Sequence, residues 1–419
     1  MKVLYITGGL GGESRELETH LEVIKRISEN CEIHVVVLYD TFGSVKDKKV
    51  KLICLNTKRT LNPLGKLKNL FYWIKELYKL KKSNRYDLSI SNADPSNIVN
   101  LISSLLAYKT FKTSIIRFAG MLSNIALYQE SKLYGVVYKA FYRIIFSIFY
   151  NKSKKISFIS KSIAADLSKY GIRIDNSVVA YNPIDLDRIL TLIWEKLEEY
   201  EHLFSEFPVI ITAGRLTKPK GQWYLLRVFR QLKETKKDLK LVILGEGELK
   251  EYLIKLSEEL GLRTFVWDRD SFSEDFDVYF LGFQRNPFKF IARSKLFVFP
   301  SLWEGFPNAL VEAMACGVPV VSSDCRSGPR EILAPNTDVE YQTEKPEFAE
   351  YGVLMPVFDV KFKSAKEPLE EKERMWVEVL DRMLRDESLR MEYSTKSKKR
   401  AEDFRIERVI HQWMEVLYG

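Results

Sequence analysis

Leu296-Phe297-Val298-Phe299-Pro300-Ser301-Leu302-Trp303-Glu304-Gly305-Phe306-Pro307-Asn308-Ala309-Leu310-Val311-Glu312-Ala313-Met314 reads as a buried strand, a loop and the opening turns of a helix. Leu296–Phe299 is a short apolar run, Pro300 ends it, and Pro307 suits a first helical position because its missing donor would be unpaired there anyway. The amides from Asn308 onward then point out of the helix end, where they and the helix dipole favour an anion. Glu304 falls just outside that end and Glu312 about a turn inside it. Carboxylates accept paired hydrogen bonds from vicinal hydroxyls. Taken alone, two glutamates so placed more often mark a capped helix with a solvated face.

Upstream, Val209-Ile210-Ile211-Thr212 runs into Ala213-Gly214-Arg215-Leu216-Thr217-Lys218-Pro219-Lys220-Gly221. Arg215 and Lys220 occupy a tight turn between strand and helix, where two cations would neutralise a diphosphate. A basic surface loop is the alternative. Helical patterns at Tyr224–Leu232 and Glu248–Leu260 alternate with strands at Leu241–Leu244, Val278–Leu281, Leu296–Phe299 and Val318–Val321. An earlier series has strands at Val3–Ile6, Ile33–Leu38, Leu52–Leu55, Leu88–Ile90, Ser114–Ile116 and Ile156–Ile159. Such alternation implies parallel sheets covered on both faces. The chain therefore reads as α/β, with two doubly wound, Rossmann-like lobes and a cleft between them. Residues 1–190 form the first lobe and residues 206–400 the second, with the charged stretch Leu186–Phe207 crossing between them. The last helical stretch, within 402–419, is assigned to pack on the first lobe. Ligands in such sheets bind at the carboxyl ends of strands.

The glycine-rich turn Gly8-Gly9-Leu10-Gly11-Gly12 follows the first strand and lets backbone approach a phosphate closely. It lacks both the dinucleotide fingerprint and a Walker ending.

The 419 residues, 46% hydrophobic and 29% charged, suffice for a core in each lobe. Four cysteines and four histidines, scattered along the chain, argue against a disulfide framework or a histidine-rich metal site and suggest buried free thiols. His20 reads as a half-buried structural residue. No secretory leader is apparent, and the apolar stretch Leu133–Tyr150 is broken by Lys139 and Arg143, so a cytoplasmic protein is expected. The net charge of +9 favours anionic partners. No nucleic-acid-binding signature accompanies it. Leu64–Lys82 is a basic amphipathic helix with Leu67, Leu70, Phe71, Ile74, Leu77 and Tyr78 on its apolar face. Such a helix either faces a core or lies on an anionic membrane.

Together these residues resemble the family-4 retaining glycosyltransferases of the GT-B architecture. Glu304 and Glu312 match the family's Glu-x7-Glu pattern, and Arg215 and Lys220 its Gly-Arg-Leu…Lys-Gly element. Leu244-Gly245-Glu246-Gly247 and Phe280-Leu281-Gly282-Phe283 match further landmarks. The run Ser323–Leu333 looks like a branch acting on N-acetylhexosamines in polysaccharide or lipid-linked oligosaccharide assembly. The resemblance implies a nucleoside-diphosphate sugar as co-substrate, UDP-linked, held mainly by the second lobe. Glu304 would hold sugar hydroxyls and Glu312 the ribose. Arg215, Lys220 and the amides of Asn308, Ala309 and Leu310 would stabilise the departing diphosphate, with Gly9, Gly11, Gly12 and Phe283 also at the nucleotide-sugar site. No metal or other cofactor is expected, and no Asp-x-Asp metal motif lies near these residues. Many relatives place a histidine near the acceptor, after the fourth or fifth strand. Here that stretch, Ile115–Asn124, has none, which leaves Arg117 or Asn124 on the acceptor side. The implied acceptor is a glycan or a polyprenyl-diphosphate-linked sugar in cell-envelope synthesis, reached through peripheral contact with the inner face of the membrane. The alternative is a nucleotide-sugar-binding protein of the same fold with epimerase activity or no turnover.

Overall fold

Short apolar runs, closed by glycine, proline or polar turns, form the strands of two separate sheets. A computed structural model of the chain describes residues 1–9, 15–39, 47, 49–60, 62–124 and 132–419, and in the helix Lys132–Ile148 it describes side chains from residue 140 onward. The chain divides into two units, Met1–Pro183 with Ile406–Gly419, and Ile184–Arg405.

The first sheet runs, edge to edge, Lys51–Thr57, Glu32–Tyr39, Lys2–Thr7, Leu88–Asn92, Ser114–Phe118, Lys155–Phe158, Ser177–Val179, with every pairing parallel. Its central strands are buried on both faces, as continuous apolar runs require. The C-terminal helix Ile406–Tyr418 buries Ile406, Val409, Trp413, Val416 and Leu417. That helical stripe joins a core with Val3, Tyr5, Leu21 and Val35.

The second sheet runs Thr264–Val266, Val278–Phe280, Lys240–Leu244, Val209–Ala213, Leu296–Phe299, Val320–Ser323, Val353–Met355, Glu347–Phe348. Only the last pairing is antiparallel. The architecture is thus two parallel-sheet α/β units, as the alternating pattern implied. Four short strands go beyond the sequence reading: Ser177–Val179, Thr264–Val266, Glu347–Phe348 and Val353–Met355. Each has three residues or fewer, too short for a period to register.

The stretch Leu186–Phe207 belongs to the second unit as the helices Leu186–Leu192 and Glu201–Glu206. Side chains of that unit take up the carbonyls between them. Asn286 Nδ2 donates to Leu192 O (2.8 Å), Arg293 Nη1 to Ile193 O (2.8 Å) and Lys289 Nζ to Lys196 O (2.9 Å).

The helix Pro63–Asn84 buries Trp73, Leu77 and Lys81 and exposes Leu64, Leu67, Phe71, Tyr72 and Tyr78. The buried stripe is therefore rotated from the face the sequence suggested, and part of the apolar face meets solvent. Lys81 is fully buried. Its Nζ donates to Asn100 O, Asn100 Oδ1 and Ser104 Oγ at 2.6–2.8 Å, and burial lowers its pKa well below the usual lysine range. Only Cys316 and Cys325 are buried thiols; Cys31 is half-buried and Cys54 exposed. No described helix is long and apolar enough to cross a membrane.

In the second unit, Arg227 is a buried tie. Its five N–H bonds go to both oxygens of Glu373 and to the carbonyls of Ser364, Glu367 and Pro368. This fastens the irregular chain before the helix Glu371–Arg385 to the helix Gln222–Thr235. With every donor used, the burial of the guanidinium is compensated. Removing one partner leaves a buried charge, so Glu373→Ala is expected to destabilise the second unit by about 3–5 kcal/mol in urea unfolding. A loss below about 1 kcal/mol would show that the pair is not a buried tie.

Candidate functional site

The strands of the second sheet run parallel, so the loops that follow them share one edge. The turn after Val209–Ala213 continues into a single 3-10 turn, Lys218–Lys220, ended by Gly221 at φ +62°. A Cβ at Gly221 would lie 2.5 Å from the carbonyl oxygen of Pro300, closer than real contacts allow. Leu302 N donates to Pro219 O (2.7 Å), so this turn and the loop after Leu296–Phe299 are sewn together. The result brings Lys220 Nζ to 2.6 Å from Glu304 Oε1, with the two side chains 17% and 10% exposed. Lys220 Nζ also lies 5.2 Å from the centre of the Phe299 ring. Arg215, on the same turn, is exposed and has no carboxylate partner among the described residues.

Neighbouring loops lock onto this one. Gly214 N donates to Leu244 O (2.9 Å), Leu216 N to Glu246 O (2.9 Å), and Gly245 N to Gly282 O (2.8 Å). Phe283 follows directly and is 53% exposed. The indole of Trp267 packs against Gly282 and donates to Glu246 Oε1 (2.9 Å).

The helix Asn308–Ala315 starts beside Glu304. Of the three amides read as anion donors, two are engaged: Asn308 N donates to Phe306 O (3.0 Å) and Leu310 N to Pro307 O (2.9 Å). For the Ala309 amide, no acceptor is found among the described residues. The tight turn at Pro307 causes this, folding the first carbonyls back onto the helix start. Glu312 is half-exposed, one turn into the helix.

A buried network behind Glu304 was not read from the sequence. Glu304 N approaches Arg326 O at 3.5 Å, and Ser327 Oγ donates to Gly305 O. The loop carrying Arg326 and Ser327 is anchored by Asp324. Asp324 Oδ2 accepts from Arg330 Nη2 (2.6 Å), Arg330 Nε (3.1 Å) and Thr343 N (2.7 Å). Arg330 Nη2 also meets Glu347 Oε2 at 2.7 Å. Burial raises the Asp324 carboxyl against these bonds. Burial and the nearby Glu304 carboxylate push the Cys325 thiol well up, so it stays neutral. The signal was the Asp-x5-Arg spacing from Asp324 to Arg330, but nothing in the sequence told of its partner Glu347.

In the first unit, Gly9 is half-buried after the first strand, and Gly8 O accepts from Tyr39 N (2.9 Å). Gly11 and Gly12 lie outside the described residues. Arg117 is 1% exposed. It donates to Ser157 Oγ (2.9 Å) and Asn182 Oδ1 (2.7 Å), and its guanidinium lies 4.7 Å from the Trp413 ring centre. Burial lowers its pKa to about 10. His20 is fully rather than half buried, between Tyr5 OH (2.8 Å) and Asn182 Oδ1 (3.2 Å), and burial with nearby Arg117 holds it neutral. Asn124 is also buried. Arg117 is thus tied into a polar knot under the C-terminal helix.

Asp94 was not singled out from the sequence. It follows the strand Leu88–Asn92 at the carboxyl edge of the first sheet and lines a depression there. Burial raises its pKa to about 6, against the lowering effect of the bond from Tyr150 OH at 2.6 Å. The Asp94-Pro95 turn after an apolar run was the available signal. Among the described residues no cluster of three side chains could hold a metal ion.

Residues 195–347 match the family Glycosyl transferases group 1, a span that includes Arg215, Lys220, Phe283, Glu304 and Glu312. An uncharacterized glycosyltransferase of Methanocaldococcus jannaschii is 34% identical over 414 residues, 95% of each chain. The N-acetylgalactosamine-N,N'-diacetylbacillosaminyl-diphospho-undecaprenol 4-alpha-N-acetylgalactosaminyltransferase of Campylobacter jejuni is 29% identical, over 98% of this chain and 97% of its own. Among solved structures, Anabaena HepE in complex with UDP and glucose superposes with a TM-score of 0.68 at 17% identity, covering 100% of this chain and 99% of that one. This likeness shows the GT-B fold.

Gly221→Ala is expected to destabilise the second unit by about 1–3 kcal/mol, through the left-handed backbone and the close approach of Pro300. Thermal unfolding beside wild type checks this. An unchanged midpoint would mean that the two loops are not in close contact.

Proposed function

The chain belongs to the group 1 glycosyl transferases, and from that premise we propose that it moves a sugar from a UDP-sugar to a glycan carried on a polyprenyl diphosphate, retaining the anomeric configuration. The observation that carries this reading is the Lys220–Glu304 pair, which seats a cation and a carboxylate together at the carboxyl edge of the second sheet.

The chemistry follows from charge. The bond between the anomeric carbon and the diphosphate oxygen breaks, and UDP leaves with the electron pair. Arg215, Lys220 and the Ala309 amide stabilise the charge that develops, the contribution that is usually largest. Two fixed cations serve where a divalent metal serves elsewhere. Glu304 holds sugar hydroxyls and also keeps Lys220 in place; Glu312 holds the ribose; Phe283 borders the nucleotide. The acceptor hydroxyl bonds to the anomeric carbon on the face the diphosphate leaves. Its proton passes to the departing phosphate oxygen, so no first-lobe histidine is required. Asn308 and Leu310 contribute by shaping the helix start rather than by donating.

The lipid-linked acceptor is supported by the Campylobacter relative, whose name specifies a diphospho-undecaprenol substrate. It is also supported by Leu64, Leu67 and Phe71, exposed on a helix that carries Lys66, Lys68 and Lys75. These suit a peripheral contact with anionic lipid at the inner face of the membrane.

Glu304→Ala and Lys220→Ala are each expected to lower acceptor-dependent UDP release by about 10²–10³-fold when assayed well below the variant's own unfolding midpoint, which breaking the shielded pair lowers. Wild-type turnover by either variant would refute the assignment. In flotation assays the chain is expected to rise with vesicles containing phosphatidylglycerol at low salt. No association there would remove the membrane contact.

A further inference from the structure

Two adjoining cavities open in the first unit. The larger, about 510 Å³, is lined mainly by apolar side chains: Leu67, Leu70, Trp73, Ile98, Phe141 and Ile145. The smaller, about 420 Å³, is of mixed character and bordered by Gly8, Arg59, Thr60 and Asp94. They share Tyr39, Thr60, Asp94 and Pro95, so the apolar chamber adjoins the mixed one. Both volumes fall in the range of roughly 300–1,000 Å³ that encloses a small ligand.

Three features say what fits. The rim of the apolar chamber carries Leu67 and Phe141, 48% and 54% exposed, and the same two helices also expose Leu64, Phe71, Ile144 and Ile148. A hydrocarbon chain coming from a lipid surface would meet these apolar side chains, with Lys66 beside them. Arg59, stacked 5.1 Å from the Tyr39 ring centre, borders the smaller cavity, and Lys66 borders the larger one. Neither has a carboxylate partner among the described residues. A third polar group, Asp94, borders both cavities and is held by the hydroxyls of Tyr150 and Tyr142, and its carboxylate has lone pairs for a further hydroxyl.

We propose that the paired cavities seat an amphiphilic acceptor, with hydrocarbon in the Leu67–Ile98–Phe141 chamber, phosphate against Arg59 and Lys66, and a sugar hydroxyl on Asp94. This rests on the lipid-linked acceptor proposed above and names where its lipid is gripped. The apolar chamber supplies affinity through burial, and the cations fix how far the chain enters.

The test is calorimetric titration of the full chain with farnesyl diphosphate, with saturating UDP present so that the donor cations are occupied. Inorganic diphosphate and farnesol serve as separate probes. Farnesyl diphosphate is expected to bind at least about tenfold tighter than either. Arg59→Ala, Ile98→Trp and Leu67→Glu are each expected to weaken it about tenfold or more, with UDP affinity unchanged. Leu67 is on the rim, so its variant folds even where filling the chamber at Ile98 does not. Farnesyl diphosphate binding no tighter than inorganic diphosphate, or undiminished in Leu67→Glu and Arg59→Ala, overturns the proposal. Sugar transfer to a polyprenyl-linked acceptor with unchanged KM in those variants overturns the seat but leaves the acceptor reading intact. Tight farnesyl diphosphate binding in a chain that glycosylates only water-soluble glycans supports the seat and overturns that reading.

Discussion

The contact between Lys220 and Glu304 is the constraint on which the second unit's chemistry depends. It spans two loops separated by 84 positions in the chain, and it exists because Gly221 has no side chain to keep the loops apart. Both groups are mostly shielded from water, where charges interact more strongly than at the surface. The pair holds a cation and an anion in fixed positions before any reaction, so little reorganisation is left to the transition state. Asp324, Arg330 and Glu347 extend the same logic outward by holding the loop that touches Glu304 from behind. These supports cost desolvation, and Asp324, raised by burial, records that cost.

The first unit is built on another plan. Its buried polar groups, Arg117 with Asn182 and His20, and Lys81 with Asn100 and Ser104, are enclosed and bonded to neutral partners. They tie helices to the sheet and leave the chemistry facing solvent to few groups. Asp94, Arg59 and Lys66 border its cavities. A unit that binds a largely apolar substrate needs a shaped hollow and a small number of oriented polar groups.

Much of the fold was legible because parallel strands buried on both faces are continuous apolar runs, and helices between them repeat at 3.6 residues. The longer runs, such as Ile33–Leu38 and Leu241–Leu244, lie within observed strands. Thr264–Val266 and Val353–Met355 escaped because three residues carry no period, and their sheet neighbours decide their state. The Arg215–Lys220 turn and the Glu304–Glu312 stretch were legible as local patterns of strand, turn and helix. Their joining was not, because it depends on the Gly221–Pro300 approach. The amides of Asn308 and Leu310 were misread as free, since the sequence does not reveal how tightly a proline turn folds back. Arg117 looked available to a substrate because its burial under Trp413 comes from a helix nearly 300 positions later in the chain. Asp94 went unnoticed because a depression is made by elements distant in sequence.

A crystal structure of the chain with UDP bound tests the central claim most directly. The account predicts diphosphate oxygens within about 3.2 Å of the Lys220 ammonium, the Arg215 guanidinium and the Ala309 amide, with the ribose hydroxyls on Glu312. UDP bound elsewhere, with Lys220 still on Glu304 and Arg215 free in solvent, would contradict it.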